Sequence, residues 1–340
     1  MKLMLSTILL MLAVTAHAGD SVAQMTFRVS DDFGNVVTGA PVTISTVARW
    51  VPGEEFGHDE YDQETGVTDT NGLVVLKLPS KTGNVRYSVS GVFDGMTKME
   101  LGDAVYYMDK GGSVRFANQN AGQWHPWNPT VDIQLKKVVN PIPMLARSFV
   151  NSRPRLRVPE FGNAVGFDLI KGDWVTPMGK GEIADLHFKL VVVDLGQRKI
   201  DRGPLYDAAF SVTFTNDGDG LQGFFSHPRE GSAFRSPRFA PEIGYSNALV
   251  KTCYEHETEN RHEKREDQNY FIRLRTKKDE SGAVIAALYG KIYGDITYSS
   301  KGVLRFVYYV NPTPNDRNME FDPAQNLFTN LPSVEEVRYP

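Results

Sequence analysis

The feature that most constrains this chain is a period of two. Met25, Phe27 and Val29 alternate with polar residues, as do Val85, Tyr87 and Val89, and again Val131, Ile133 and Leu135. Successive side chains of an extended backbone point to opposite faces, so this spacing buries one face of a strand and leaves the other wet. Turn formers punctuate the runs. Asp31-Asp32-Phe33-Gly34 is one such group, and Asp69-Thr70-Asn71-Gly72 is a stronger one, because Asn and Gly accept the positive φ of a tight turn. No stretch of this first part repeats apolar residues at 3.6. The pattern predicts a β-sandwich.

The second part reads the same way with less regularity. Leu186 to Leu195, Ala208 to Asn216, Tyr270 to Lys277, Val284 to Ile296 and Val303 to Val310 are rich in Val, Ile, Phe and Tyr. Asp217-Gly218-Asp219-Gly220 and Asp279-Glu280-Ser281-Gly282 separate them. The expectation is an all-β chain, its second half an antiparallel sandwich or jelly-roll-like domain with one or two short helices. An outer-membrane barrel fits the strand lengths, but Val191-Val192-Val193 breaks the alternation a barrel wall requires. At about 150 residues per domain, the residues from 19 to 340 suggest two. Pro141 and Pro143, then Arg153-Pro154-Arg155, mark a linker over residues 139–157, between domains at 19–138 and 158–340.

Residues 1–18 read as a cleaved signal peptide. Lys2 supplies the positive start, Leu3 to Val14 a short apolar core and Ala16-His17-Ala18 the small-x-small site, so the mature chain is expected to begin near Gly19. No later run of 18 apolar residues follows, and no transmembrane segment is expected in the mature chain. One cysteine, Cys253, excludes an intrachain disulfide and any cysteine-built zinc or iron–sulfur site. With no unblocked Asn-x-Ser/Thr, this composition suits a bacterial periplasmic or secreted protein. A net charge of −4 gives no basic field for nucleic acid.

Three motifs together carry a family resemblance. Val29-x-Asp31-x-x-Gly34-x-x-Val37-x-Gly39-Ala40-Pro41-Val42-x-Ile44 is the first, Gly66-Val67-Thr68-Asp69-x-x-Gly72 the second, and the closing Val131-x-Ile133-x-Leu135 the third. Over residues 24–137 the chain resembles a carboxypeptidase regulatory-like (transthyretin-like) domain. That resemblance implies a seven-stranded Greek-key sandwich serving as an accessory, non-catalytic module of an exported protein. Residues 49–64 depart from it as a long acidic loop, and residues 96–128 as a second insertion. Function peculiar to this domain is expected on those loops. No family is assigned to residues 141–340.

Chemical motifs are sparse. Gly218-x-Gly220-x-x-Gly223 matches a dinucleotide fingerprint, but Phe224-Phe225-Ser226-His227-Pro228 follows where a helix must start, so a hairpin turn is expected. Asn216-Asp217-Gly218-Asp219-Gly220 spaces oxygens as calcium loops do and lacks the closing acid. Cys253 to Glu263 is the densest titratable run. On a helix its His256 and His262 fall on opposed faces, so the run reads as a solvated loop or short helix, and Cys253 as a small buried apolar residue. Glu54, Glu55, Asp59, Glu60, Asp62 and Glu64 sit within eleven residues without a basic partner and read as a solvated acidic loop. Trp50, Tyr61, Trp124 and Trp127 fall in the two insertions. They are the ligand-binding candidates, because flat aromatic faces stack on sugars; packing of the loops is the competing role. The expected function is therefore an exported, non-enzymatic binding or structural protein whose partner is a glycan or another cell-surface ligand. The alternative is a secreted hydrolase with its active site in the second domain. No catalytic residue, metal ligand or cofactor is assigned, and no oligomeric state.

Overall fold

The computed structural model describes residues 20–53, 56–89 and 97–340; the expected signal peptide, and Glu54 and Glu55 of the acidic stretch, lie outside them. The protein is all-β, with no α-helix among the described residues. Compactness divides the chain into two units, Met1–Lys137 and Val138–Pro340.

The strands of the first unit are β1 (Ser21–Asp31), β2 (Pro41–Val51), β3 (His58–Val67), β4 (Leu73–Ser80), β5 (Asn84–Val89), β6 (Lys98–Leu101), β7 (Ala104–Tyr107), β8 (Asp109–Arg115), β9 (Asn118–Asn120), β10 (Gln123–His125) and β11 (Thr130–Leu135). β1 is the axis of one sheet. It pairs antiparallel with β4 along one side, while on the other its start meets β10 and its end meets β11, both parallel. The second sheet runs β3-β2-β5-β8. The period of two is visible in the burial of β1, whose Ala23, Met25, Phe27 and Val29 enter a core with Val42, Ile44, Leu78, Val85 and Leu135. Each of these side chains larger than alanine contributes about 1.5–3 kcal/mol.

The turn formers act as read. The Asp69 carboxylate accepts the amides of Asn71 (2.8 Å) and Leu73 (2.9 Å), and Asp31 does the same for Phe33 and Asn35. Gly72 sits at φ +71, and a Cβ there would lie 2.6 Å from the Val29 carbonyl oxygen, so both conformation and space require glycine. Two expectations change. Residues 97–128 are not a loop but supply β6 to β10. Residues 49–51 and 58–64 continue the β2–β3 hairpin, paired as far as Val51↔His58, with Arg49 and Glu60 facing each other across it in an exposed ion pair at 2.6 Å.

The second unit holds β12 (Leu145–Ser148), β13 (Ala164–Asp168), β14 (Asp173–Trp174), β15 (Leu186–Gln197), β16 (Pro204–Thr213), β17 (Gly220–Phe225), β18 (Ala248–Glu255), β19 (Asn260–His262), β20 (Gln268–Lys278), β21 (Val284–Tyr298) and β22 (Leu304–Asn311). They form two open antiparallel sheets, β12-β22-β21-β20-β17 and β14-β13-β15-β16-β18-β19, and neither closes on itself as a barrel would. Phe167, Phe188, Phe210, Ile272, Phe306 and Tyr308 belong to one core, in which Phe167 meets Phe188 and Phe306 edge-on at about 6 Å. A second cluster, Met144, Tyr293, Tyr309, Phe321 and Val337, takes the opposite face of the first sheet: Tyr308 and Tyr309 are consecutive on β22 and point to different cores.

Within residues 139–157 the structure places β12 against β22 and buries Met144, Ala146 and Phe149, so this stretch is an integral part of the second unit. The short helices expected there reduce to one 3-10 turn, Pro323–Gln325. A buried polar knot closes one end. Arg275, at φ +53, donates to Asp185 (2.7 Å) and Asp168 (3.2 Å), and Asp168 also accepts the amides of Ile170, Lys171, Glu182 and Ile183. Burial opposes ionisation of Asp168, yet these amides and Arg275 outweigh it and hold the carboxyl below its usual range.

Candidate functional site

Two arrangements have functional chemistry, one in each unit. In the first, Trp50 on β2 and Tyr61 on β3 come from paired strands. Trp50 stands opposite Asp59, and Val47 opposite Tyr61, with a bulge between Val47 and Arg49 that takes up the odd residue. Asp59 and Tyr61 are two apart on β3, so Trp50, Asp59 and Tyr61 share one face of the hairpin. Both rings are open to solvent, Trp50 at 61% and Tyr61 at 49%. Trp50 lies over Gly57, where an added Cβ would sit inside the indole at 1.9 Å. β3 is the edge strand of its sheet, so nothing in that sheet lies beyond it.

The other two aromatic candidates part company. Trp124 is only 8% exposed; its Nε1–H donates to the Ser80 carbonyl (2.8 Å), and its ring rests on Gly83. It is a core ring. Trp127, 36% exposed, follows Pro126 beyond β10 and is not part of the hairpin face. Among the acids, Glu60 has a basic partner after all in Arg49.

In the second unit the titratable run from Cys253 is neither helix nor loop but the β18–β19 hairpin, in which Cys253 stands opposite His262. His262 Nδ1 lies 3.1 Å from Cys253 Sγ, and His262 Nε2 lies 2.6 Å from Glu255 Oε1. The carboxylate assigns the ring proton to Nε2, which leaves Nδ1 to accept from the thiol. Arg198 donates to the other Glu255 oxygen at 3.0 Å. Cys253 and His262 open on a cleft of about 140 Å³, walled also by Tyr206, Lys251, Tyr298 and Ser300. Burial pushes the Cys253 thiol up, so its resting form is the protonated one. His256 serves a different carboxylate, Asp207, at 2.7 Å.

Sequence reasoning missed Lys251, and gave Glu255 no role within the charged run. The signal was present: Lys251, Cys253 and Glu255 alternate along β18 and so lie on one face, a spacing obscured by their charge. The glycine fingerprint opens no helix, and the expected hairpin turn is corrected: the turn after β16 carries the chain to the other sheet, where Gly220 and Gly223 lie in β17, paired with β20. Asp219 of the calcium-like run spends its carboxylate on the amides of Arg275 and Thr276, both at 2.8 Å. Among the described residues no three His, Cys, Asp or Glu side chains are placed to hold a metal ion.

Fold and sites together define an all-β protein of two units, with an exposed aromatic hairpin on one and a thiol–imidazole–carboxylate hairpin on the other. No family model and no curated protein matches the chain. Among solved structures, one titled "Structure of the Streptococcal ancillary pilin" is similar at a TM-score of 0.20 and 12% identity, over 72% of this chain and 63% of that one. The chain thus spans less than two thirds of the length of that pilin. No helix of the described residues is long and apolar enough to cross a membrane.

Proposed function

We propose that this is an exported binding protein that takes a carbohydrate on the Trp50–Tyr61 face, with its first unit a carboxypeptidase regulatory-like accessory module. The observation that carries the reading is two solvent-exposed rings on one face of an edge hairpin, with the Asp59 carboxylate beside them. Sugars offer apolar C–H faces for stacking and hydroxyls for a carboxylate, and rings on paired strands lose little freedom on binding. Export is supported by the composition of residues 1–18, and the accessory role by the three motifs, two of whose aspartates, Asp31 and Asp69, close turns.

The test is retention on insoluble cellulose, chitin and peptidoglycan. The wild-type chain is expected to be held by at least one of them, and a W50A/Y61A double variant to lose at least about tenfold in affinity, some 1.4 kcal/mol or more, with its melting temperature unchanged. A double variant that binds as well as wild type, or a wild-type chain held by none, refutes the reading.

A second reading is favoured by the Cys253–His262–Glu255 geometry. A nucleophile, a base within hydrogen-bond reach and a carboxylate orienting that base form the constellation of acyl-transfer catalysis, here beside a cleft in the second unit. On that reading the protein is a thiol-dependent hydrolase.

A further inference from the structure

Lys251 and Asp295 bring the two sheets of the second unit into contact through their side chains. Lys251 sits on β18 and Asp295 on β21, and Lys251 Nζ touches Asp295 Oδ1 directly. Both side chains are withdrawn from solvent, at 8% and 3% exposure. Asp295 reaches inward at a register break in β21, between Tyr293 and Thr297, where Gly294 adopts φ +77. Each carboxyl oxygen also receives a donor: Tyr270 Oη–H on Oδ1 at 2.8 Å, and the Arg265 amide on Oδ2 at 3.2 Å. The Ile296 carbonyl accepts from Lys251 Nζ at 3.1 Å, and the Tyr270 ring centroid lies 6.0 Å from that nitrogen.

We propose that Lys251 and Asp295 condense to an intramolecular amide, an isopeptide bond that staples one sheet of the second unit to the other. The balance is closed within the pair. A proton passes from the ammonium to the carboxylate, leaving a neutral amine and a neutral carboxyl. The Nζ lone pair attacks Cγ, the N–C bond forms, the C–O bond to one carboxyl oxygen breaks, and that oxygen leaves as water with the acid's proton and one from nitrogen. No oxidant, cofactor or second substrate enters.

The surroundings favour each stage. Burial disfavours the ammonium, ahead of the opposing pull of Asp295, and so frees the lone pair. Tyr270, whose own hydroxyl burial keeps protonated, and the Arg265 amide are aimed at the oxygens on which charge develops as Cγ becomes tetrahedral. Two buried ions are costly to keep, while the amide that replaces them is neutral, so the dry site pulls the reaction towards product. The water has a way out, because Asp295 borders a cleft of about 440 Å³ with Lys264, Glu266 and Arg305, and Lys251 borders the smaller cleft beside Cys253.

Intact-mass measurement of the purified full chain tests this, together with sequencing of its tryptic peptides. The chain is expected to weigh about 18 Da less than its own sequence, the mass of one water, with a branched peptide joining the segment around Lys251 to that around Asp295. An Asp295→Ala chain is expected at its full sequence mass, with the two segments released separately. A wild-type chain at full mass, with both segments recovered unlinked, overturns the proposal. Because the wild-type mass alone decides, the outcome stands even if the variant fails to fold, and it is independent of whether the hairpin binds sugar.

Discussion

Replacing Trp124 by Ala should unfold the first unit far more easily, while replacing Trp50 should not. The magnitude follows from their surroundings. Trp124 is buried, its ring covers Gly83 at φ +63, and its Nε1–H satisfies the Ser80 carbonyl at 2.8 Å. Truncating a buried Trp costs about 3–5 kcal/mol through lost transfer energy and the cavity left behind. Losing the indole donor adds about 1 kcal/mol at Ser80. For a unit of this size each kcal/mol moves the midpoint by roughly 3–5 °C, so Trp124→Ala should lower the first unit's transition by about 12–30 °C. Trp50 is open to solvent, and Trp50→Ala should stay within about 0.5 kcal/mol, or some 2 °C. Differential scanning calorimetry of the full chain reads both. Trp124→Phe, which keeps a ring and loses only the donor and some volume, should fall between them. A Trp124→Ala chain that melts within about 1 kcal/mol of wild type, or a Trp50→Ala chain destabilised as much as Trp124→Ala, would refute the division into packing ring and binding ring.

Two further outcomes follow from the second unit. If His262 is the base for Cys253, iodoacetamide alkylation of the native thiol at neutral pH should slow by at least about tenfold in His262→Ala, as removal of a general base does; equal rates would sink the hydrolase reading. Asp168 has a folded pKa below its unfolded value, so its contribution is complete above about pH 4 and is lost as pH falls through the folded pKa. Asp168→Asn should therefore lower the urea midpoint at pH 7 and narrow the gap from wild type at pH 3, and parallel curves would show that Asp168 carries no linkage.

How much of this was legible depended on whether a residue's surroundings are local. The alternation of Met25, Phe27 and Val29 located β1, and Asp69 to Gly72 located a turn, because strand faces and turn chemistry are written within a few residues. Trp124 and Trp50 look alike in sequence. Only the Gly83 backbone, brought against one of them, makes it core. Pro141 and Pro143 signalled a linker because they flank rather than occupy β12, whose partner β22 lies some 160 residues further on.

The second unit's chemistry was hidden for a sharper reason. β18 obeys the same period of two, but its buried face carries Lys251, Cys253 and Glu255, so a test for apolar alternation passes over it. Such a face is tolerable only if every charge on it finds a partner, since an unpaired buried charge costs several kcal/mol. The partners come from elsewhere in the chain: His262 by the return of β19, Arg198 from the end region of β15, and Asp295 from the opposite sheet. A polar strand face turned inward is thus a demand that topology must meet. Where it meets that demand with an amine against a carboxyl, and a thiol against an imidazole, the same contacts that permit burial place reactive groups within bonding reach of each other.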